Sequence, residues 1–159
     1  MIQIKTAGEI EKMRQAGQAV AETLGGMRDL VRPGLTTREL DRFAEDALRS
    51  RGMRPAFKGY RGFPASICAS PNEVVVHGIP DSRELVEGDI INCDVTVYAH
   101  GMHGDCSETV FVGDVDEESK RLVQVTWECL MKAIDVVRPG QPLNTIGQVI
   151  EEHVRHHGY

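Results

Sequence analysis

Asp94 and Asp105 stand eleven residues apart, on either side of Tyr98-Ala99-His100-Gly101, a stretch that reads as a turn. Two carboxylates brought to one place offer hard oxygen ligands, the chemistry that holds divalent cations. His77 lies upstream, after Val74-Val75-Val76 and before Gly78-Ile79-Pro80. An imidazole can hydrogen-bond, move protons or bind metal near neutral pH. Taken alone, it reads as a structural histidine.

Whether the aspartates meet depends on the strands that carry them. Ile90-Ile91-Asn92-Cys93-Asp94-Val95-Thr96-Val97 alternates apolar and polar residues and is rich in β-branched side chains, the period-two signal of a half-buried strand. Residues 102–111 return as the second strand of a hairpin. Pairing Val97 with Met102 sets Asp94 opposite Asp105, on one face, with Cβ atoms about 4.5–5.5 Å apart. Like charges so close repel, so a cation should sit between them or one carboxyl should hold a proton. A slip of one residue would part them and leave an ordinary solvated face. The same register sets Cys93 against Cys106. The four cysteines, Cys68, Cys93, Cys106 and Cys129, form no C-x-x-C pair. They read as small packing residues of a reducing compartment, with an oxidised Cys93–Cys106 pair as the alternative.

Three segments carry a resemblance. Asn72-Glu73-Val74-Val75-Val76-His77-Gly78-Ile79-Pro80, Gly88-Asp89-Ile90-Ile91-Asn92-Cys93-Asp94-Val95-Thr96-Val97 and Gly101-Met102-His103-Gly104-Asp105-Cys106-Ser107 occur in that order. Together they resemble type I methionine aminopeptidase, and the step from Asp94 to Asp105 matches that family's first two metal ligands. The resemblance implies an α/β fold of the α+β kind, the pseudo-two-fold pita-bread fold, with a dinuclear site between its halves. It implies removal of N-terminal methionine from peptides and nascent proteins. Two divalent ions would be the cofactors: cobalt, manganese, iron, zinc or nickel. Asp94 would chelate one ion and Asp105 bridge both, while His77 would hydrogen-bond the substrate near the scissile amide. Tyr60, Phe63 and Cys68 would contribute to the pocket for the methionine side chain. Phe57 departs from the family, many of whose members carry a smaller residue there. Asn92 and Thr96 share the Asp94 face and could support the ligands, or be ordinary strand-face polar residues.

Around these segments the chain reads as scaffold. A helix is predicted over 7–31, with Ile10, Met13, Ala16, Val20, Leu24, Met27 and Val31 at three- and four-residue steps and a Thr6/Glu9 capping box. A second is predicted over 37–51, capped by Thr36 or Thr37, with Leu40, Phe43, Ala44, Ala47 and Leu48 inward. Its charges, including Asp41 and Glu45, read as a solvated surface. Residues 66–70 form a short strand. A third helix covers 117–137, with Leu122, Val125, Thr126, Cys129, Leu130, Ala133 and Val136 or Val137 inward. A fourth covers 144–156, with Ile146, Val149, Ile150, His153 and Val154 inward. His153 and His157, four residues apart, could bind metal from one helix face. The reading preferred from sequence is a helix tail, and neither substitutes for a family ligand.

Val31-Arg32-Pro33-Gly34 reappears as Val137-Arg138-Pro139-Gly140, offset by 106 positions. Leu40 falls over Ile146, Phe43 over Val149, Leu48 over Val154 and Gly52 over Gly158. This suggests a duplication. The expected organisation is one partial domain over 1–159, with a first repeat at 7–114 and the start of a second at 115–159. The resemblance draws one His and two Glu ligands from the family's second half, and nothing here matches them. The chain thus reads as the N-terminal portion of such an enzyme, inactive alone.

The 159 residues carry 41% hydrophobic and 26% charged residues and a net charge of −6, ordinary for a globular domain. The acidic balance argues against nucleic acid or anionic membrane as main partner. The N-terminus lacks an apolar run of signal-peptide length, and no stretch approaches a membrane span. The expectation is a cytoplasmic monomer acting on peptide and nascent-chain N-termini, including those at the ribosome. Two rivals remain: a related peptidase cleaving before proline, and a non-catalytic half-domain used for binding.

Overall fold

A computed structural model describes residues 2–159. The chain divides into two compact units, one running to Val115 and one from Asp116 to Tyr159.

In the first unit, helix α1 spans Ala7–Leu30 and helix α2 spans Thr37–Ser50. Both begin with a capping box: Thr6 with Glu9, and Thr36 with Glu39. Each satisfies orphan N–H groups reciprocally. The strands are β1 (Arg54–Pro55), β2 (Cys68–Pro71), β3 (Ile90–Ala99) and β4 (Met102–Phe111). All pair antiparallel with β3, making one four-stranded sheet. A short 3-10 turn at Tyr60–Gly62 lies between β1 and β2.

The sheet has two unlike faces. Ile91, Cys93, Val95 and Val97 are buried in a core with Ala16, Val20, Leu24 and Met27 of α1 and Leu40, Ala44 and Leu48 of α2. Gly104 allows α1 to come close, because a Cβ there would stand 2.5 Å from the Ala16 carbonyl carbon. Beyond it, Arg28 of α1 bonds Glu108 of β4 at 2.6 Å. The alternate residues Asn92, Asp94 and Thr96 therefore occupy the opposite face, as the strand period requires.

The hairpin register differs from the expectation. The strands run on to Ala99 and Met102, which pair, so Asp94 lies opposite Ser107 and Asp105 opposite Thr96. The turn is only His100-Gly101, with φ of 54° and 84°. Positive φ at both central residues is the I′ geometry whose twist suits a two-residue hairpin. The shift is two residues, so the face assignment survives. Cys93 lies opposite Glu108 and Cys106 opposite Val95. All four cysteines are free, and Cys106 is exposed rather than buried.

In the second unit, helix α3 spans Glu117–Asp135 and helix α4 spans Asn144–His156. Asp116 caps α3 through the Ser119 N–H at 2.9 Å. Val125, Cys129 and Ala133 are buried, but Leu122, Thr126, Leu130 and Val137, expected inward, are exposed. Along α4, Ile146, Val149, Ile150, His153 and Val154 are half-buried. Among the described residues, no helix is long and apolar enough to cross a membrane.

Candidate metal centre

Asp94 projects from the middle of β3 and Asp105 from β4, one diagonal step apart on the face turned away from α1. Burial, then the Asp105 charge, push the Asp94 carboxyl up to about 6, with His77 pulling the other way. Asp105 is exposed and accepts the Thr96 hydroxyl at 2.9 Å. Asn92, next along this face, donates to Thr109 Oγ1 at 3.2 Å and Ser107 Oγ at 3.4 Å. These contacts tie polar side chains of the face across the two strands.

Cys68 lies directly opposite Asp94 on β2. It is buried, and burial with the two aspartate charges pushes its thiol up to about 11. It is therefore a neutral thiol at pH 7, not a nucleophile.

His77 reaches this neighbourhood through backbone contacts. The Ala69 N–H donates to the Gly78 carbonyl at 2.9 Å, and the Gly78 N–H donates to Ser70 Oγ at 3.1 Å. The approach requires glycine: a Cβ at Gly78 would lie 2.1 Å from the Ala69 carbonyl oxygen. His77 itself has φ of 59° and an exposed side chain. A positive φ is uncommon outside glycine, though histidine is among the residues enriched there. Val75 and Val76 beside it are 86% and 61% exposed, so this apolar run is not core.

Two supports of the site come from charges read in sequence as solvated surface. Asp41 Oδ1 accepts the Ser66 and Ile67 N–H groups at 2.7 and 3.1 Å. Glu45 Oε2 accepts the Lys58 ammonium at 2.6 Å and the Ser66 hydroxyl at 3.0 Å. Both fix the entry to β2, hence Cys68. Their spacing of four residues on α2 was the available signal, since it stacks two carboxylates on one side of the helix. Asp89 is a third such support. Buried, it accepts Asn72 Nδ2 at 2.7 Å and the Val86 N–H at 3.0 Å and pairs with Arg83 at 3.2 Å, tying the turn after β2 to the start of β3.

Of the other predicted residues, Tyr60 is 63% exposed, with the Arg61 guanidinium over its ring at 5.5 Å. Phe63 meets Phe57 edge-on, centroids 6.0 Å apart. Their ring contacts stay within the loop between β1 and β2. The structure thus groups Asp94, Asp105, Cys68 and the His77 segment, with Tyr60 and Phe63 on the loop leading into β2.

The carboxylate pair fits a divalent cation by its chemistry. Two carboxylates share one face, and like charges held so close favour a cation between them.

A sheet backed by two helices carries paired aspartates on its free face. Comparison gives it a family: residues 11–159 match metallopeptidase family M24, and the chain belongs to it. It is 48% identical over 156 residues to methionine aminopeptidase 2 of Mycobacterium tuberculosis, covering 98% of this chain and 55% of that relative. It is 46% identical over 158 residues to methionine aminopeptidase of Rickettsia prowazekii, covering 99% and 61%. The crystal structure of the Rickettsia prowazekii enzyme superimposes with a TM-score of 0.98 over 100% of this chain and 64% of that one. A prolidase from Pyrococcus furiosus, 20% identical with a TM-score of 0.87, shares the fold, the mixed α/β pita-bread architecture. The chain thus spans less than two thirds of the length of these relatives.

Proposed function

We propose that this chain is the aspartate-bearing part of a methionine aminopeptidase, which removes N-terminal methionine from peptides and nascent proteins. The observation that carries the reading is the Asp94–Asp105 pair, two carboxyls one diagonal step apart on one sheet face, where the Asp105 charge helps push the Asp94 carboxyl up. Asp94 and Asp105 would hold two divalent ions; cobalt, manganese, iron, zinc and nickel all accept such oxygen ligands. When bound, the ions supply Lewis-acid chemistry, activating water and polarising the scissile carbonyl. Thr96 and Asn92 keep the strand face in register. His77, exposed and held by the Gly78–Ala69 contact, orients the substrate amide by hydrogen bonding. Cys68 offers a small, neutral, apolar wall, and Tyr60 and Phe63 contribute aromatic surface for the methionine side chain. The remaining ligands come from outside these 159 residues, so the segment alone does not turn over. The protein works as a cytoplasmic monomer on N-termini emerging at the ribosome.

We further propose that the chain is one repeat, 7–114, and the start of another, 115–159. Matching backbone supports this: Gly34 and Gly140 have φ of 84° and 87°, and Gly52 and Gly158 of 70° and 81°.

Two substrates test the activity. The longest natural product carrying this segment should release methionine from Met-Ala-Ser with cobalt or manganese present and leave an Ala-Pro peptide intact. The 159-residue chain should release none. Cleavage before proline with no methionine release would favour the proline-specific relatives. Absence of both, with no metal bound, would favour a binding module.

A further inference from the structure

The second unit carries a cluster that shares no residue with the aspartate face. We propose that Glu128, His153 and His157 form a binding site for one first-row divalent cation of the zinc or nickel type. His153 and His157 are four residues apart along α4 and so share one side of it. Glu128 comes from the facing helix α3. One ligand atom from each lies within 4.8 Å of the others. Glu128 Oε2 is 2.8 Å from His153 Nε2 and 4.0 Å from His157 Nε2. Ligands held about 2.0–2.2 Å from a tetrahedral zinc stand roughly 3.4 Å from one another. The two observed distances bracket that value and the third pair lies within 4.8 Å, so closure around an ion needs movement on the order of 1 Å.

Three further features suit a cation. Gln124 donates to the other Glu128 oxygen at 2.8 Å, fixing the carboxylate as the outer partners of metal ligands do. The His153 and His157 rings stand 4.5 Å apart at 63°, edge to face rather than stacked. A groove of about 480 Å³ between α3 and α4 includes His153, His156, Glu152 and Asp135 in its wall, so water or a further ligand can reach the His153 side of the cluster. Two imidazoles and one carboxylate favour zinc, nickel or cobalt over calcium or magnesium, which prefer all-oxygen sites. An ion here would clasp the end of α4 to the middle of α3.

The test uses the whole chain with Asp94→Asn and Asp105→Asn, which removes the aspartate site. Zinc chloride is titrated calorimetrically, and cobalt chloride is followed by its visible absorption. One equivalent of zinc is expected, with cobalt bands of a tetrahedral site and a raised melting temperature. Adding His157→Gln should weaken zinc binding by more than about 100-fold, beyond the cost of losing an outer partner. Glu128→Gln, which keeps the side-chain shape, should do the same. His100→Gln, in the hairpin turn, should change nothing. Far-UV circular dichroism checks that each variant is folded; His157, with its side chain 30% exposed, is the mildest change. No zinc equivalent in the double-Asn protein, or unchanged affinity in folded His157→Gln and Glu128→Gln, would overturn the proposal. Methionine release by the wild-type protein is read separately, so failure of either proposal is distinguishable from failure of the other.

Discussion

Thr96 lies directly opposite Asp105 in the β3–β4 pairing and donates its hydroxyl to the Asp105 carboxylate at 2.9 Å. The bond fixes one carboxylate oxygen. A hydrogen bond of this kind to a proposed metal ligand orients it, and loss of such a partner costs about 10–100-fold in metal affinity. Thr96→Val keeps the shape and removes the donor. Cobalt titration of the full-length protein should show that loss with the fold intact; equal affinity would make Thr96 an ordinary strand residue.

The Asp94 carboxyl sets a pH signature in metal-free protein. Its folded value is about 6 against an ordinary 3.8, so the folded state holds a proton that the unfolded chain has released. Stability from this group is fully present below pH 3.8 and is lost as pH rises through 6. The loss is on the order of 1–2 kcal/mol for a half-buried group. Urea unfolding in EDTA at pH 5 and 7 should show the fall, and Asp94→Asn should flatten it.

Glu45 has the opposite sign. The Lys58 ammonium, with Arg49 and the Ser66 hydroxyl, holds it down at about 2. Its stabilisation is present above an ordinary value of 4.5 and lost as pH falls toward 2. Glu45→Gln should destabilise by on the order of 2 kcal/mol at pH 7 and by much less at pH 3. Paired urea melts at those pH values measure the difference.

Gly78→Ala pushes a methyl carbon to 2.1 Å from the Ala69 carbonyl oxygen, a backbone atom that cannot step aside. The His77 segment must move off β2. If His77 orients the substrate as proposed, a misplacement of about 1 Å costs roughly 100-fold in rate, so methionine release by the longest natural product carrying this segment should fall on that order. Gly147→Ala is the control. It lies within α4 with open space around it, and should gain up to about 1 kcal/mol from helix propensity.

Alternation along β3 made the buried Ile91-Cys93-Val95-Val97 face legible in sequence, and with it the polar face that bears Asp94. The register was off by two because His100-Gly101 turns in two residues where four were expected. Only the parity mattered for the site. Helix caps were legible because they are local, as at Thr6 and Thr36. What sequence hid was long-range. Asp41 and Glu45 look like surface charge until β2 is laid beside α2, and Glu128 is one acid among many until α4 brings two imidazoles to it. The exposure of Leu122, Leu130 and Val137 likewise departs from periodicity, since an apolar stripe shows which side can be covered and not how much of it is.

The most direct measurement is methionine release from Met-Ala-Ser by the longest natural product carrying this segment, wild type beside Asp105→Ala, with cobalt or manganese supplied. Release by the wild type, abolished in the variant while its circular dichroism is unchanged, is the predicted result. Equal release by both, or none by the wild type with metal bound, would contradict the assignment of the Asp94–Asp105 face as the catalytic metal centre.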